Sequence, residues 1–303
     1  MVTRKTQTCG TRRACRLLDG RALADSLGTV LREHALSFQR HTHRRVGLRV
    51  VMWGDDPASK IYVQNKQRKA EELGLHFTGY AFAQDDPFED VLKVIEGLNQ
   101  DAFCHGLIVQ LPIPETARTA DLLDAVSPTK DVDGLHPYSR GRLYASDTEP
   151  TFVPCTPWGC LRLLKAHDIA LKGKHVVVVG RSSLVGRSFA ALCLKEDATV
   201  TIVHSASENV KKLTLQADIL CVAAGKPGLI DASYVKEGAA VLDVGIHPLS
   251  DGMCGDVVFE DVATKAAWLS PVPRGVGPMT VMGLMHNTLQ AAYRAYGLPA
   301  FQL

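Results

Sequence analysis

Tyr62 and Lys66 stand four residues apart in a stretch whose neighbours read as helix, so a phenol and an amine share one face. The phenol can stack on or hydrogen-bond a flat substrate, and the amine can shuttle protons if burial brings its pKa toward neutrality. The same spacing also suits a solvated helix face, which Lys60, Arg68 and Lys69 nearby would equally fit. Gln110 is the polar side chain near the end of the apolar run Gly106-Leu107-Ile108-Val109-Gln110-Leu111, before Pro112. Proline ends strand pairing there, and open α/β sheets bind ligands at that end. A buried amide needs a hydrogen-bond partner, which a lysine or a ligand would supply, unless Gln110 faces the outer edge. Lys130-Asp131-Val132-Asp133-Gly134 places two carboxylates on one loop. They suit a metal, an amidine-like N–C–N edge of a ligand, or a simple Asx-turn.

A second group of residues points to phosphate. The apolar strand 175–179 runs into Gly180-Arg181-Ser182-Ser183-Leu184-Val185-Gly186 and then an apolar helix, and unpaired N–H groups at such a helix start favour an anion. The spacing is Gly-x5-Gly, which a tight turn without ligand would also satisfy. The next strand ends in Val203-His204-Ser205-Ala206-Ser207, with no acid to hold a ribose 2′-hydroxyl. Ser205 and Arg181 would instead accept a 2′-phosphate, so NADP is favoured over NAD. Two further strands end in glycine, at Gly225 and Gly245.

Ser270-Pro271-Val272-Pro273-Arg274-Gly275-Val276-Gly277-Pro278-Met279-Thr280 alternates residues that fix φ with residues that free it, prescribing a loop of one contour. Pro278 suits the first turn of a helix running on to residue 296. The loop either presents backbone groups to a ligand or merely connects.

These residues need a scaffold of alternating strands and helices. Strands are expected at 46–53, 76–82, 106–111, 175–179, 199–204, 219–223, 240–244 and 268–270, with helices at 22–39, 60–73, 88–99 and 186–196. That alternation predicts an α/β fold of largely parallel sheets, with two α/β domains and a cleft between them, the second Rossmann-like. Expected bounds are a basic tail at 1–16, a first domain at 17–155, a dinucleotide-binding domain at 156–278 and a C-terminal helix at 279–303 packing back on the first. Residues 127–159, rich in Pro, Gly, Asp and Thr, read as a domain boundary and functional loop. A targeting role is the alternative for the basic tail.

Thirty-four basic against 32 acidic side chains leave +2, which favours small-molecule ligands over nucleic acid or an anionic membrane surface. No apolar run reaches the roughly 20 residues of a membrane span. The eight cysteines include no C-x-x-C pair and accompany no histidine cluster of metal-ligand spacing, so no metal is expected and the thiols read as reduced, in a cytoplasmic protein.

Taken in order, these segments resemble the bifunctional methylenetetrahydrofolate dehydrogenase/methenyltetrahydrofolate cyclohydrolase family. The resemblance runs from about residue 17 to 292. It rests on Gly54-Asp55-Asp56-Pro57-Ala58-Ser59 before Tyr62 and Lys66, Val109-Gln110-Leu111-Pro112, the Lys130–Gly134 segment and Pro154-Cys155-Thr156-Pro157. Gly180-Arg181-Ser182 with Val185-Gly186, Gly255-Asp256-Val257 and the proline loop complete it. The resemblance implies NADP-dependent oxidation of methylenetetrahydrofolate, hydrolysis to 10-formyltetrahydrofolate, and a homodimer formed through the Rossmann-like domain. Lys66 would be the central catalytic residue, with Tyr62 on the folate, Gln110 orienting Lys66, and Asp133 holding the pterin's amino and ring N–H edge. Val109, Leu111, Pro273, Gly275, Gly277, Pro278 and Thr280 would line the folate cleft. Gly180, Arg181, Ser182, Ser205 and Ile246 would contact NADP.

Three positions depart from the family pattern: Arg274 where glycine is usual, Ser188 where proline is, and His247 where asparagine is. Arg274 would be strained if φ there is positive, and its guanidinium is expected to reach a folate or cofactor anion. His247 bears on cofactor affinity, whereas Ser188 falls within a helix. A shikimate- or amino-acid-type NADP oxidoreductase shares the architecture but not Gln110 and Asp133 at this spacing. A catalytically silent NADP-binding protein would not need Lys66 and Tyr62.

Overall fold

The computed structural model describes residues 14–114, 118–145, 152–250, 252–301 and 303. The chain enters through a two-residue strand, β1 (Arg16–Leu17), and helix α1 (Gly20–Thr42). Asp19 caps α1 by accepting from the N–H groups of Arg21 and Ala22, and His43 closes it with φ 56°. A βα succession follows: β2 (Gly47–Trp53), α2 (Pro57–Glu72), β3 (His76–Phe82), α3 (Phe88–Gln100), β4 (Gly106–Gln110) and α4 (Thr119–Ala125). β2 is the centre of a parallel three-stranded sheet, β3-β2-β4. Its side chains alternate between two cores: Leu48 and Val50 pack with α1, while Val51 and Trp53 join Val91 and Ile95 of α3.

Two helices, α5 (Pro137–Tyr144) and α6 (Cys155–Ala166), lead to the larger sheet. That sheet is built from β5 (His175–Val179), α7 (Gly186–Lys195), β6 (Thr199–Val203), α8 (Val210–Thr214), β7 (Ile219–Val222) and β8 (Ala240–Asp243). A hairpin, β9 (His247–Leu249) and β10 (Gly252–Cys254), precedes α9 (Phe259–Val262), β11 (Trp268–Leu269) and the long helix α10 (Val276–Ala295). The strand order is β6-β5-β7-β8-β11-β1, every pairing parallel. Leaving β1 aside, this is the doubly wound order 2-1-3-4-5, whose direction reverses between β5 and β7. α10 packs on both α6 and α1, so its methionines 279, 282 and 285 are fully buried in the main core.

The structure departs from the sequence reading in four places. Arg16 belongs to β1, pairing with Trp268 and lying 3.7 Å over its indole, rather than to a tail; residues 1–13 lie outside the described residues. Leu17 likewise joins the larger sheet instead of the first domain. The supposed loop 127–159 holds α5 and the start of α6, because Pro137 sits in the first turn of α5, where its missing N–H does no harm, and His136 Nδ1 caps Tyr138 N–H. α10 begins at Val276, two residues before Pro278.

Candidate active site

Gly54, at φ +101°, turns the chain out of β2, and Asp56 then caps α2 by accepting from Ser59 N–H at 2.7 Å with Pro57 in the first turn. That start fixes the helix phase, so Tyr62 and Lys66 point the same way. Lys66 Nζ donates to Gln110 Oε1 at 2.8 Å, and Gln110 Nε2 donates to the Leu111 carbonyl at 2.6 Å. Both side chains are half-buried. The amine is therefore aimed by an amide that is itself locked to the end of β4, and the solvated-face alternative fails. Tyr62 remains 36% exposed on the same helix, with its phenol pKa raised by partial burial. Val109 is buried in the α3 core, which leaves its main chain, not its side chain, available to a ligand.

The two carboxylates of the 130–134 loop have different tasks. Asp131 is buried and accepts from the N–H groups of Leu135 and His136 and from Ser139 Oγ, and burial pushes its pKa up to about 6. It organises the loop, as an Asx residue does. Lys130 turns the other way, donating to the carbonyls of Leu98 and Asp101. Asp133 is half-buried, and its charge and that of Lys66 both act on the Cys155 thiol, which donates to the Val132 carbonyl at 3.4 Å. Burial and the neighbouring carboxylate hold that thiol in its neutral form. Asn287 of α10 ties the assembly by donating to the carbonyls of Val132 and Val153 at 2.8 and 2.9 Å. Among the described residues no group of acidic, histidine and cysteine side chains has metal-binding geometry.

The proline loop lies at the N-terminus of α10. Thr280 Oγ1 is 3.0 Å from Thr156 Oγ1, and a side chain on Gly277 would come within 3.5 Å of Ile246 Cδ1. Gly275 and Gly277 thus lie between α6 and the chain that leaves β8, with Pro273 exposed and Pro278 partly so. Arg274 does adopt positive φ, 90°, but its guanidinium pairs with Asp19 Oδ2 at 2.8 Å. The expectation that it reaches a ligand anion is corrected: the free oxygen of a helix-capping carboxylate takes it first.

At the strand reversal, Gly180 has φ +122°, and a Cβ there would meet the Ala223 carbonyl at 2.1 Å; one on Gly186 would meet the Gly180 carbonyl at 2.2 Å. The turn is closed to any larger residue, leaving a shallow cradle at the mouth of β5 and β7. Ser182 Oγ accepts from Val185 N–H. At the end of β6, His204 Nδ1 accepts from Ala206 N–H, so a neutral ring carries its proton on Nε2, 3.4 Å from Arg181 Nη1. Arg181 and His204 thus lie together next to exposed Ser205, with no acid among them. These groups fit the adenosine 2′-phosphate of NADP. His204 falls in the strand-end segment 203–207 but has no role in the sequence reading, since only the fold brings it onto Arg181. Asp256, present in a motif but given no role, is fully buried and accepts from three consecutive N–H groups, Ala224 to Lys226, after β7. Ser188, inside α7, simply donates to the Ser183 carbonyl.

A doubly wound sheet with a closed glycine turn at its strand reversal, in one chain with a lysine held at the end of a second parallel sheet, defines a two-domain dinucleotide-dependent enzyme. The chain belongs to the tetrahydrofolate dehydrogenase/cyclohydrolase family, whose catalytic-domain model matches residues 18–133 and whose NAD(P)-binding-domain model matches 154–296. The bifunctional protein FolD of Halalkalibacterium halodurans is 46% identical over 91% of this chain and 98% of its own. Among solved structures, FolD of Campylobacter jejuni superposes with a TM-score of 0.90 at 40% identity, covering 93% of this chain and 99% of that one. The Trypanosoma brucei methylenetetrahydrofolate dehydrogenase-cyclohydrolase, in complex with NADP and an inhibitor, gives 0.91 at 35% identity over 94% and 99%.

Proposed function

We propose that Lys66, held by Gln110, is the proton-transferring group of a folate site completed by Tyr62, Asp133 and the proline loop. The enzyme oxidises 5,10-methylenetetrahydrofolate to 5,10-methenyltetrahydrofolate with NADP, and hydrolyses that product to 10-formyltetrahydrofolate, in one-carbon metabolism. NADP, when bound, accepts the hydride from the carbon bridging the two folate nitrogens. The cation left on the folate is stabilised by those nitrogens, so the protein's task in that step is placement. Asp133 offers paired acceptors to the pterin's amino and ring N–H edge, while Tyr62 covers the ring. Leu111, Gly275, Gly277, Pro278 and Thr280 wall the cleft. Gly180, Arg181, Ser182, Ser205 and Ile246 hold the cofactor. Water then attacks the cationic carbon, and Lys66 moves the protons as the five-membered ring opens.

The 2.8 Å contact between Lys66 and Gln110 carries this reading. The test is a coupled spectrophotometric assay with methylenetetrahydrofolate and NADP, following NADPH and the near-ultraviolet band of the methenyl product. Absence of turnover with NADP would overturn it. We also propose a first domain that begins after β1 and runs to residue 155, a cofactor domain at 156–278 to which β1 adds a strand, and a homodimer through the latter. β6 supports the dimer, being an open sheet edge with Ile202 37% exposed. Light scattering on the full chain would detect a monomer if this is wrong. No helix among the described residues is long and apolar enough to cross a membrane.

A further inference from the structure

Two buried acids lie one behind the other at the mouth of the larger sheet. Asp243 accepts from the N–H groups of Gly245, Asp256 and Val257 at 3.1, 2.9 and 3.1 Å. Asp256, thereby fixed, takes Ala224 and Gly225 N–H on Oδ2 at 2.6 and 2.9 Å, and Lys226 N–H on Oδ1 at 2.9 Å. The stack leaves no room beside it: a Cβ on Gly245 would meet Asp256 Oδ1 at 2.2 Å, and one on Gly255 would fall onto the Asp243 carboxylate. The fourth donor is His247, whose Nε2 lies 2.7 Å from Asp256 Oδ1. With three N–H donors already on the carboxylate, Nε2 carries the hydrogen of this contact. His247 is 20% exposed and Asp256 not at all, so the ring also stands between the carboxylate and solvent.

Ile246 sits between these anchors. On one side Gly245 N–H is held by Asp243, and on the other the His247 ring is held by Asp256. Its Cδ1 lies against Gly277 in the first turn of α10. We propose that His247 is a positioning residue for the cofactor: through Asp256 it fixes both the Ala224–Lys226 turn after β7 and Ile246 after β8, at the strand ends beside the reversal. The inference rests on the NADP-dependent reading above. It concerns only the oxidative step, because hydrolysis of methenyltetrahydrofolate supplied directly needs no cofactor and uses Lys66 of α2, held by Gln110 at the end of β4.

His247→Phe keeps a ring of similar shape and removes the donor, whereas His247→Gln restores an N–H at similar reach. For His247→Phe, the NADP Michaelis constant should rise about tenfold, the scale of one hydrogen bond to a charged group. Hydrolysis of added methenyltetrahydrofolate should stay within about twofold, and His247→Gln should recover most of the NADP affinity. Calorimetric NADP binding by His247→Gln and His247→Ala gives the same comparison if the Phe variant does not fold. An NADP constant within about twofold of the parent in the donor-less variants would overturn the proposal, and so would equal losses of oxidation and hydrolysis. A parent protein that hydrolyses methenyltetrahydrofolate but reduces no NADP would instead sink the dehydrogenase reading on which it stands.

Discussion

Replacing Lys66 by methionine separates chemistry from folding. The amine makes one hydrogen bond, to Gln110 Oε1 at 2.8 Å, from a half-buried position. A bond of that kind contributes about 0.5–1.5 kcal/mol net, discounted here for solvent, and methionine keeps the apolar stem in place. Stability should therefore fall by no more than about 1 kcal/mol, a Tm shift of at most about 4 °C. Positioned proton transfer is worth about a hundred- to ten-thousandfold in rate, so hydrolysis should drop at least about a hundredfold. Oxidation should suffer less, since its cationic product is stabilised by the folate nitrogens. Gln110→Ala, which leaves the amine present but unaimed, should fall between parent and Lys66→Met. Rapid mixing with methenyltetrahydrofolate, following decay of its near-ultraviolet band, reads the step directly. A Lys66→Met protein that melts normally and hydrolyses at the parental rate would refute the assignment.

Arg274→Gly should leave both Michaelis constants unchanged, because the guanidinium is engaged by Asp19 and not by ligand. Relief of about 1–2 kcal/mol at φ 90° outweighs an exposed ion pair worth under about 1 kcal/mol, so Tm should hold or rise. His204→Ala should reduce the preference for NADP over NAD by about tenfold, measured as the ratio of kcat/KM values; an unchanged ratio would remove His204 from the phosphate site. Gly245→Ala should cost at least about 2 kcal/mol in a urea melt, since its Cβ would lie 2.2 Å from a carboxylate oxygen with no space to yield. Burial and the charges of Lys130 and Arg49 pull the His105 pKa down to about 4, against about 6.5 unfolded. Its contribution is present above pH 6.5 and lost as pH falls toward 4, about 3 kcal/mol across that window. Asp131 and Asp243, raised to about 6 and 7, act oppositely over part of it, so the parent-minus-variant difference is the quantity to read. His105→Gln, retaining an acceptor for Gly47 N–H, should flatten the acid limb of the stability curve.

Local signals were strong wherever one residue type has one use. Apolar runs located every strand of both sheets except β1 to within about two residues, and Pro271 to Pro278 announced a shaped loop. Gln110, a lone amide at a strand end, was legible as a site residue because burial demands a partner. What stayed hidden depended on distance along the chain. Arg274 is 255 residues from Asp19, and nothing local says that a capping carboxylate has an oxygen to spare. Asp131 and Asp133 look equivalent until the loop closes and Asp131 is consumed by Leu135, His136 and Ser139. α5 was hidden by its own composition, since proline and glycine mark helix ends as well as loops. β1 is too short for any periodicity.

That short strand bears on what could survive excision from the chain. Arg16 and Leu17 form the border of the larger sheet, donating N–H groups to the carbonyls of Ala267 and Leu269 through Arg16 and Leu18. The matched NAD(P)-binding segment, 154–296, contains β11 but not the strand that covers it. A fragment cut to those limits would bare the outer edge of β11, uncover the indole of Trp268 beneath Arg16, and lose fully buried Leu18. The cofactor-binding body is thus discontinuous, its last strand supplied from ahead of the folate-binding residues, and the two activities are joined by the weave of the backbone as well as by a shared cleft.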